Sequence, residues 1–219
     1  MMIFDELQKR FEASANPDKA RQMAAYMKNQ FVYYGIQTPQ RRALYKDLIA
    51  TERRSKVIDW NLLEICWQAP QREYQYFVGD YLRAMKNYLS FDDIPELENF
   101  VRNRQWWDSI DFLDQIIGNI GLTDRRVDDL MRSWARDDNF WVRRLAIEHQ
   151  LGRKSQTNTK LLEEILLANF GSQEFFINKA IGWALRDYSK TNPEWVRSFF
   201  QKYRKDMAPL SVREGSKYI

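Results

Sequence analysis

The sequence predicts an all-α protein built from stacked helix pairs, and three observations carry that expectation. Apolar residues recur at spacings of three and four, as in Leu161, Leu162, Ile165 and Leu166, which is the period of a helix with one buried face. Capping side chains stand directly before prolines at Asn16-Pro17, Thr38-Pro39 and Asn192-Pro193, where a proline suits the first helical position. Paired aromatics at Trp106-Trp107, Phe140-Trp141 and Phe175-Phe176 recur every 34 or 35 residues, a period typical of a repeated helix pair. One run, Phe31-Val32-Tyr33-Tyr34, has a strand-like composition, but it is too isolated to build a sheet.

Taken in order, Asn16-Pro17 opens one helix and Thr38-Pro39 another. Cys66 follows in the apolar run Leu62-Leu63-Glu64-Ile65-Cys66-Trp67 and reads as buried filler. Gln71-Arg72-Glu73-Tyr74 lies about one period before the aromatic pair at Trp106. Three outer helices are expected near 91–103, 123–136 and 158–169, each followed by an inner partner at 106–120, 139–151 and 174–189. Gly35, Gly121, Gly152 and Gly171 stand where helices are expected to stop. Asn192-Pro193 opens a further helix, and Ser211-Val212-Arg213-Glu214 reads as a capping box opening a last short one. With no linker or composition shift, residues 1–219 are expected to form a single α-helical repeat domain. In such a solenoid the inner helices line a concave surface.

Composition narrows the function. Hydrophobic residues make up 44% and charged residues 29%, an ordinary soluble balance, whereas 15% aromatics and eight tryptophans exceed what packing usually demands. The net charge of +4 favours an anionic partner only mildly, since 34 basic residues face 30 acidic ones. No apolar run approaches the roughly 18 residues of a membrane span, and the start lacks the layout of a signal peptide. With one cysteine, no disulfide can form within the chain, which fits a reducing cytoplasm. One histidine and one cysteine exclude a zinc site built from those residues, and a Ser or Cys nucleophile would have to recruit His149. No glycine-rich phosphate loop is present, and neither a metal nor a cofactor is expected. Any chemistry falls to carboxylates.

The inner helices carry the unusual residues. Trp107 and Asp111 stand one helical turn apart on one face, a pairing that suits a cation whose charge moves during reaction. Trp141 has Arg143 and Arg144 beside it, and Trp183 lies one turn from Lys179 with Arg186 three positions beyond. Basic groups interleaved with aromatics suit a nucleic-acid groove, with cations for phosphates and indoles for bases or sugars. The same pattern also fits a solvated Arg143-Arg144 face and aromatics that merely bridge repeats. Asp108, Asp111 and Asp114 do not converge as a metal site, because Asp114 is turned about 120° from Asp108 on a helix.

Six stretches stand out together: Met23–Asn29, Gly35-Ile36-Gln37-Thr38-Pro39, Trp106-Trp107-Asp108-Ser109-Ile110-Asp111, Phe140-Trp141-Val142-Arg143-Arg144, Lys179-Ala180-Ile181-Gly182-Trp183 and Ala208-Pro209-Leu210-Ser211. In order and spacing they resemble the AlkD-type DNA alkylation-repair glycosylases. The resemblance implies a HEAT-like repeat fold with a concave DNA-binding groove, and release of positively charged N3- or N7-alkylated purines from duplex DNA without a base-flipping pocket. It places the catalytic aspartate on Asp111 and the lesion-contacting tryptophans on Trp107 and Trp183. A phosphate-contacting arginine falls on Arg144. A further DNA contact falls on Arg186, and Tyr26 lies in the N-terminal segment that active members use near the lesion. Beside what the resemblance implies, Lys179, Trp106 and Arg143 are expected to contact DNA. A monomer working in the cytoplasm, associated with the nucleoid when bound to DNA, is expected. The alternatives are a non-catalytic binder of DNA structures on the same scaffold and a helical-repeat scaffold for protein partners.

Overall fold

The computed structural model describes residues 2–219. The described residues form helices and connecting turns; the only β pairing among them is an isolated parallel bridge between Val32 and Gln71. The helices group into two compact units, Met1–Leu89 and Ser90–Ile219. Among the described residues, no helix is long and apolar enough to cross a membrane.

The first unit contains α1 (Met2–Ala13), α2 (Pro17–Tyr26), α3 (Thr38–Ser55), α4 (Trp60–Gln68) and α5 (Arg72–Met85). α5 packs on α3 and α4, and α1 covers the same two helices. Leu7, Phe11, Tyr45, Leu63, Trp67, Tyr74, Phe77 and Tyr81 form its core, with Cys66 buried among them as expected. Aromatic edges meet aromatic faces there, as between Phe11 and Tyr74 with centroids 5.2 Å apart.

The strand-like run at 31–34 is neither strand nor helix, and the reason is a buried carboxylate. Glu73, wholly inaccessible at the start of α5, accepts the backbone N–H groups of Tyr34, Gly35 and Ile36 at 3.1, 2.9 and 3.1 Å. These groups are thereby satisfied without a neighbouring strand. Arg72 adds to the grip by lying 3.8 Å over the Phe31 ring while its backbone N–H bonds the Val32 carbonyl. Gly35 therefore does not end a helix. It crosses the start of α2 with φ +88°, where a Cβ would collide with the Asn16 carbonyl. The chain leaves α2 instead through Lys28 and Asn29, both left-handed.

The second unit contains α6 (Ile94–Arg102), α7 (Trp107–Ile120), α8 (Arg126–Trp134), α9 (Phe140–Glu148), α10 (Thr159–Leu167), α11 (Phe175–Ser189), α12 (Pro193–Tyr203) and α13 (Pro209–Gly215). α7, α9 and α11 pack in a row, α8 and α10 pack on each other and on α9, and α12 and α13 pack against α11. The expected outer and inner helices are thus present in order. The repeat is visible in hydrogen bonds that link equivalent positions of adjacent pairs. Asn139 donates to Gln105 at 2.9 Å across 34 residues, and Asn169 donates to the Ala135 carbonyl at 3.1 Å across 34. Arg132 reaches Glu164 at 2.8 Å across 32. Such ties fix the register of one pair on the next.

Asn16, Asn139, Asn158 and Asn192 cap their helices by accepting N–H bonds. Two expected starts are corrected. α3 begins at Thr38 itself, with Gln37 at the cap position and no side-chain cap. α13 begins at Pro209, so Ser211 lies inside the helix rather than at its cap. Its buried hydroxyl instead donates to the Asn178 carbonyl on α11 at 2.8 Å.

α7 and α9 approach closely at Gly118, where a Cβ would collide with the His149 carbonyl oxygen. Because both partners at that crossing are backbone, relaxation is restricted. Gly118→Ala is expected to lower unfolding free energy on the order of 1–3 kcal/mol through overpacking. A denaturant midpoint equal to the parent's would show that the crossing can open at no cost.

Candidate active site

The site is built on α7, α9 and α11 of the second unit. Trp106 stands at the N-cap of α7, with its ring 5.5 Å from Trp141 and 5.7 Å from Phe176. Phe176 and Trp141 are themselves 4.7 Å apart. The repeated aromatic pairs therefore include one ring each that bridges to the next helix, and the indole N–H of Trp106 is sealed without a partner. Trp107 begins α7 and is half-buried; Asp111 follows one turn on, also half-buried.

Arg144 is the hub. Its Nε and Nη2 donate to one oxygen of Asp111 at 3.1 and 2.7 Å, and its Nη1 donates to the Phe176 carbonyl at 3.0 Å. Glu148, one turn along α9, places a carboxyl oxygen 3.0 Å from Nη2. The Arg144 side chain is 2% exposed, Glu148 0% and Asp111 27%. Arg144 is therefore not a solvated cation on a helix face, and one guanidinium joins α7, α9 and α11. Arg143, its neighbour, turns away and donates to the carbonyls of Asp137 and Asp138 at 2.6 and 3.2 Å.

One cation serves three carboxyl groups, because Asp114 is also sealed beneath Asp111. Burial raises Asp114 well above the ordinary carboxylate range, and the Glu148 and Asp111 charges push it the same way. Burial likewise raises Glu148 well above its ordinary value, against the pull of Arg144. Asp111 is raised by burial and drawn back by Arg144. The arrangement favours neutral Asp114 and Glu148 and leaves the charge on Asp111, the only one of the three that reaches solvent. Asp108, half-buried at the helix start, accepts the Ser109 N–H and does not join them as a ligand set.

Trp183 on α11 is half-buried, with Arg144, Lys179 and Arg186 at 5.5, 5.7 and 5.6 Å from its ring centre. Lys179 and Arg186 both pair with Glu214 of α13, at 2.9 and 3.1 Å. Asp111, Arg144, Trp183, Lys179 and Arg186 thus form one connected cluster, with Trp107 one turn from Asp111. Tyr26 belongs to the first unit, where it ends α2 and is 70% exposed. His149 is buried with its pKa lowered to about 3 by desolvation, so it stays neutral. Its Nδ1 bonds the Ala146 carbonyl at 2.7 Å, so it holds a turn.

The sequence does not place three members in this cluster. Glu148 has a signal, its four-residue spacing from Arg144. Glu214 reads as part of a capping box, and Asp114 is weighed there only as a metal ligand.

A family model described as DNA alkylation repair enzyme matches residues 7–219. A solved structure described as a predicted DNA alkylation repair enzyme from Enterococcus faecalis is similar over 94% of this chain and 96% of its own. It shares 36% identity, with a TM-score of 0.85. No curated protein gives a significant match. The all-α helical-repeat fold, its spacing and the matched length agree: the chain belongs to the DNA alkylation repair enzyme family, which makes DNA its partner.

Proposed function

We propose that the protein is a monomeric, cytoplasmic DNA glycosylase that releases positively charged N3- or N7-alkylated purines from duplex DNA without drawing the base into a pocket. The observation that carries this reading is the partly exposed Asp111 carboxylate, fixed by a buried guanidinium and grouped with Trp183. The single buried cysteine fits a reducing compartment.

An alkylated purine already bears a positive charge, so it departs neutral and needs no acid to protonate it. The C1′–N bond breaks, its electron pair goes to the base nitrogen, and positive charge develops on the deoxyribose. Asp111 stabilises that charge and then takes a proton from the water that adds to C1′. Opposite charges about 4 Å apart in a partly buried site interact by about 4 kcal/mol. That corresponds to about three powers of ten in rate. Trp107 and Trp183 hold the cationic nucleotide with their π-faces, each for about 0.5–2 kcal/mol. These contributions suit a labile bond and fall short for an unmodified purine. Lys179, Arg186, Arg143, Trp106 and Tyr26 contribute DNA contacts. Arg144 fixes Asp111 and keeps it ionised, and a phosphate contact would be its second role.

Asp111→Asn is expected to lower single-turnover release of N7-methylguanine by at least a hundredfold while duplex affinity stays within about twofold. Release at the parent's rate would remove Asp111 from the reaction. Arg144→Ala removes the cation that opposes the burial-driven rise of Asp111. Its acidic limb is therefore expected to move to higher pH, with activity partly regained on raising the pH. An unmoved limb with a reduced salt dependence of binding would mean that Arg144 acts through a phosphate alone.

A further inference from the structure

Three cations approach the Trp183 ring, and carboxyl groups match them unevenly. Arg144 is held by Asp111 and Glu148. Lys179 and Arg186 share the single carboxylate of Glu214, at 2.9 and 3.1 Å. The Lys179 ammonium bonded to it, aided by Arg186 and Arg213, holds Glu214 below the ordinary carboxylate range, so it is ionised. The Lys179–Glu214–Arg186 group therefore carries one net positive charge beside the indole.

The fold fixes Glu214 in that place. Gly182 lies between Lys179 and Arg186 on one face of α11, and a Cβ on it would stand 2.5 Å from the Glu214 Cβ. Only the missing side chain lets α13 bring a carboxylate down between the two cations. Ser211, one turn earlier, anchors the same helix to the Asn178 carbonyl at 2.8 Å. These contacts have no capping function. They deliver a negative charge to Trp183.

We propose that Glu214 is a specificity residue, which sets the preference for a cationic over a neutral nucleotide by cancelling one of the two charges that α11 holds beside Trp183. The proposal rests on the glycosylase reading above. Without Glu214, an added positive charge about 6 Å from the indole repels a cationic base and attracts phosphates. The two effects have opposite signs, which a simple loss of structure would not produce. One unit charge at that distance, partly screened, corresponds to a change on the order of tenfold.

The test compares the half-saturating concentration for N7-methylguanine release in single turnover with the Kd of the same duplex carrying neutral 7-deaza-7-methylguanine. Preference is the second divided by the first. Glu214→Gln, which keeps the shape over Gly182, is expected to bind the neutral duplex more tightly and to lose about tenfold in preference. Glu214→Gln combined with Lys179→Gln restores the net charge and is expected to recover the parent's preference. Lys179→Gln alone is expected to raise it, and decides the matter should Glu214→Gln fail to fold. A preference unchanged in the folded single variants, or unrestored in the double, overturns the assignment. No release by the parent protein would defeat the glycosylase reading and this inference together; release with an unmoved preference would defeat this inference alone.

Discussion

The Arg144 guanidinium is the contact on which the site depends. It is nearly sealed, yet it meets Asp111 from α7, Glu148 from its own helix and a backbone carbonyl from α11. Burying an ion pair costs desolvation that the attraction only partly offsets, so the pair is poorly explained as a device for stability. What it supplies is position. A carboxylate with two N–H donors on one oxygen has a fixed orientation, and about a quarter of the Asp111 side chain still reaches solvent.

Charge balance then sets the protonation of the neighbourhood. Three carboxyl groups and one cation cannot all be ionised in a poorly solvated cluster without severe repulsion. Asp114 and Glu148, being fully buried, lose most from ionisation, and Asp111, which reaches water, loses least. The buried pair thereby acts as a neutral floor beneath one charged group. The same economy appears on α11, where Lys179 and Arg186 share Glu214. Both arrangements require helices to come close, which Gly118 and Gly182 allow on α7 and α11.

Much of this was legible in the sequence because local rules and the repeat period agree. Asparagine caps, prolines at helix starts and aromatic pairs each mark the same boundaries. The motifs around Asp111, Arg144 and Trp183 led to residues that the fold does gather. The misreadings share a cause: a local pattern was given a local explanation when its partner lay far along the chain. Ser211 and Glu214 have the spacing of a capping box, but they serve α11. Gly35 has the look of a helix stop, but it makes room for the start of α2. Adjacent Arg143 and Arg144 look like one charged face, yet about 100° of helical rotation sends one outward to turn carbonyls and the other into the cluster.

What this cluster can do depends on which carboxyl group carries the charge. Site-resolved carbon-13 titration of Asp111, Asp114 and Glu148 in the intact protein measures this directly. The expected result at neutral pH is an ionised Asp111 beside protonated Asp114 and Glu148. An ionised Glu148 beside a protonated Asp111 would contradict it.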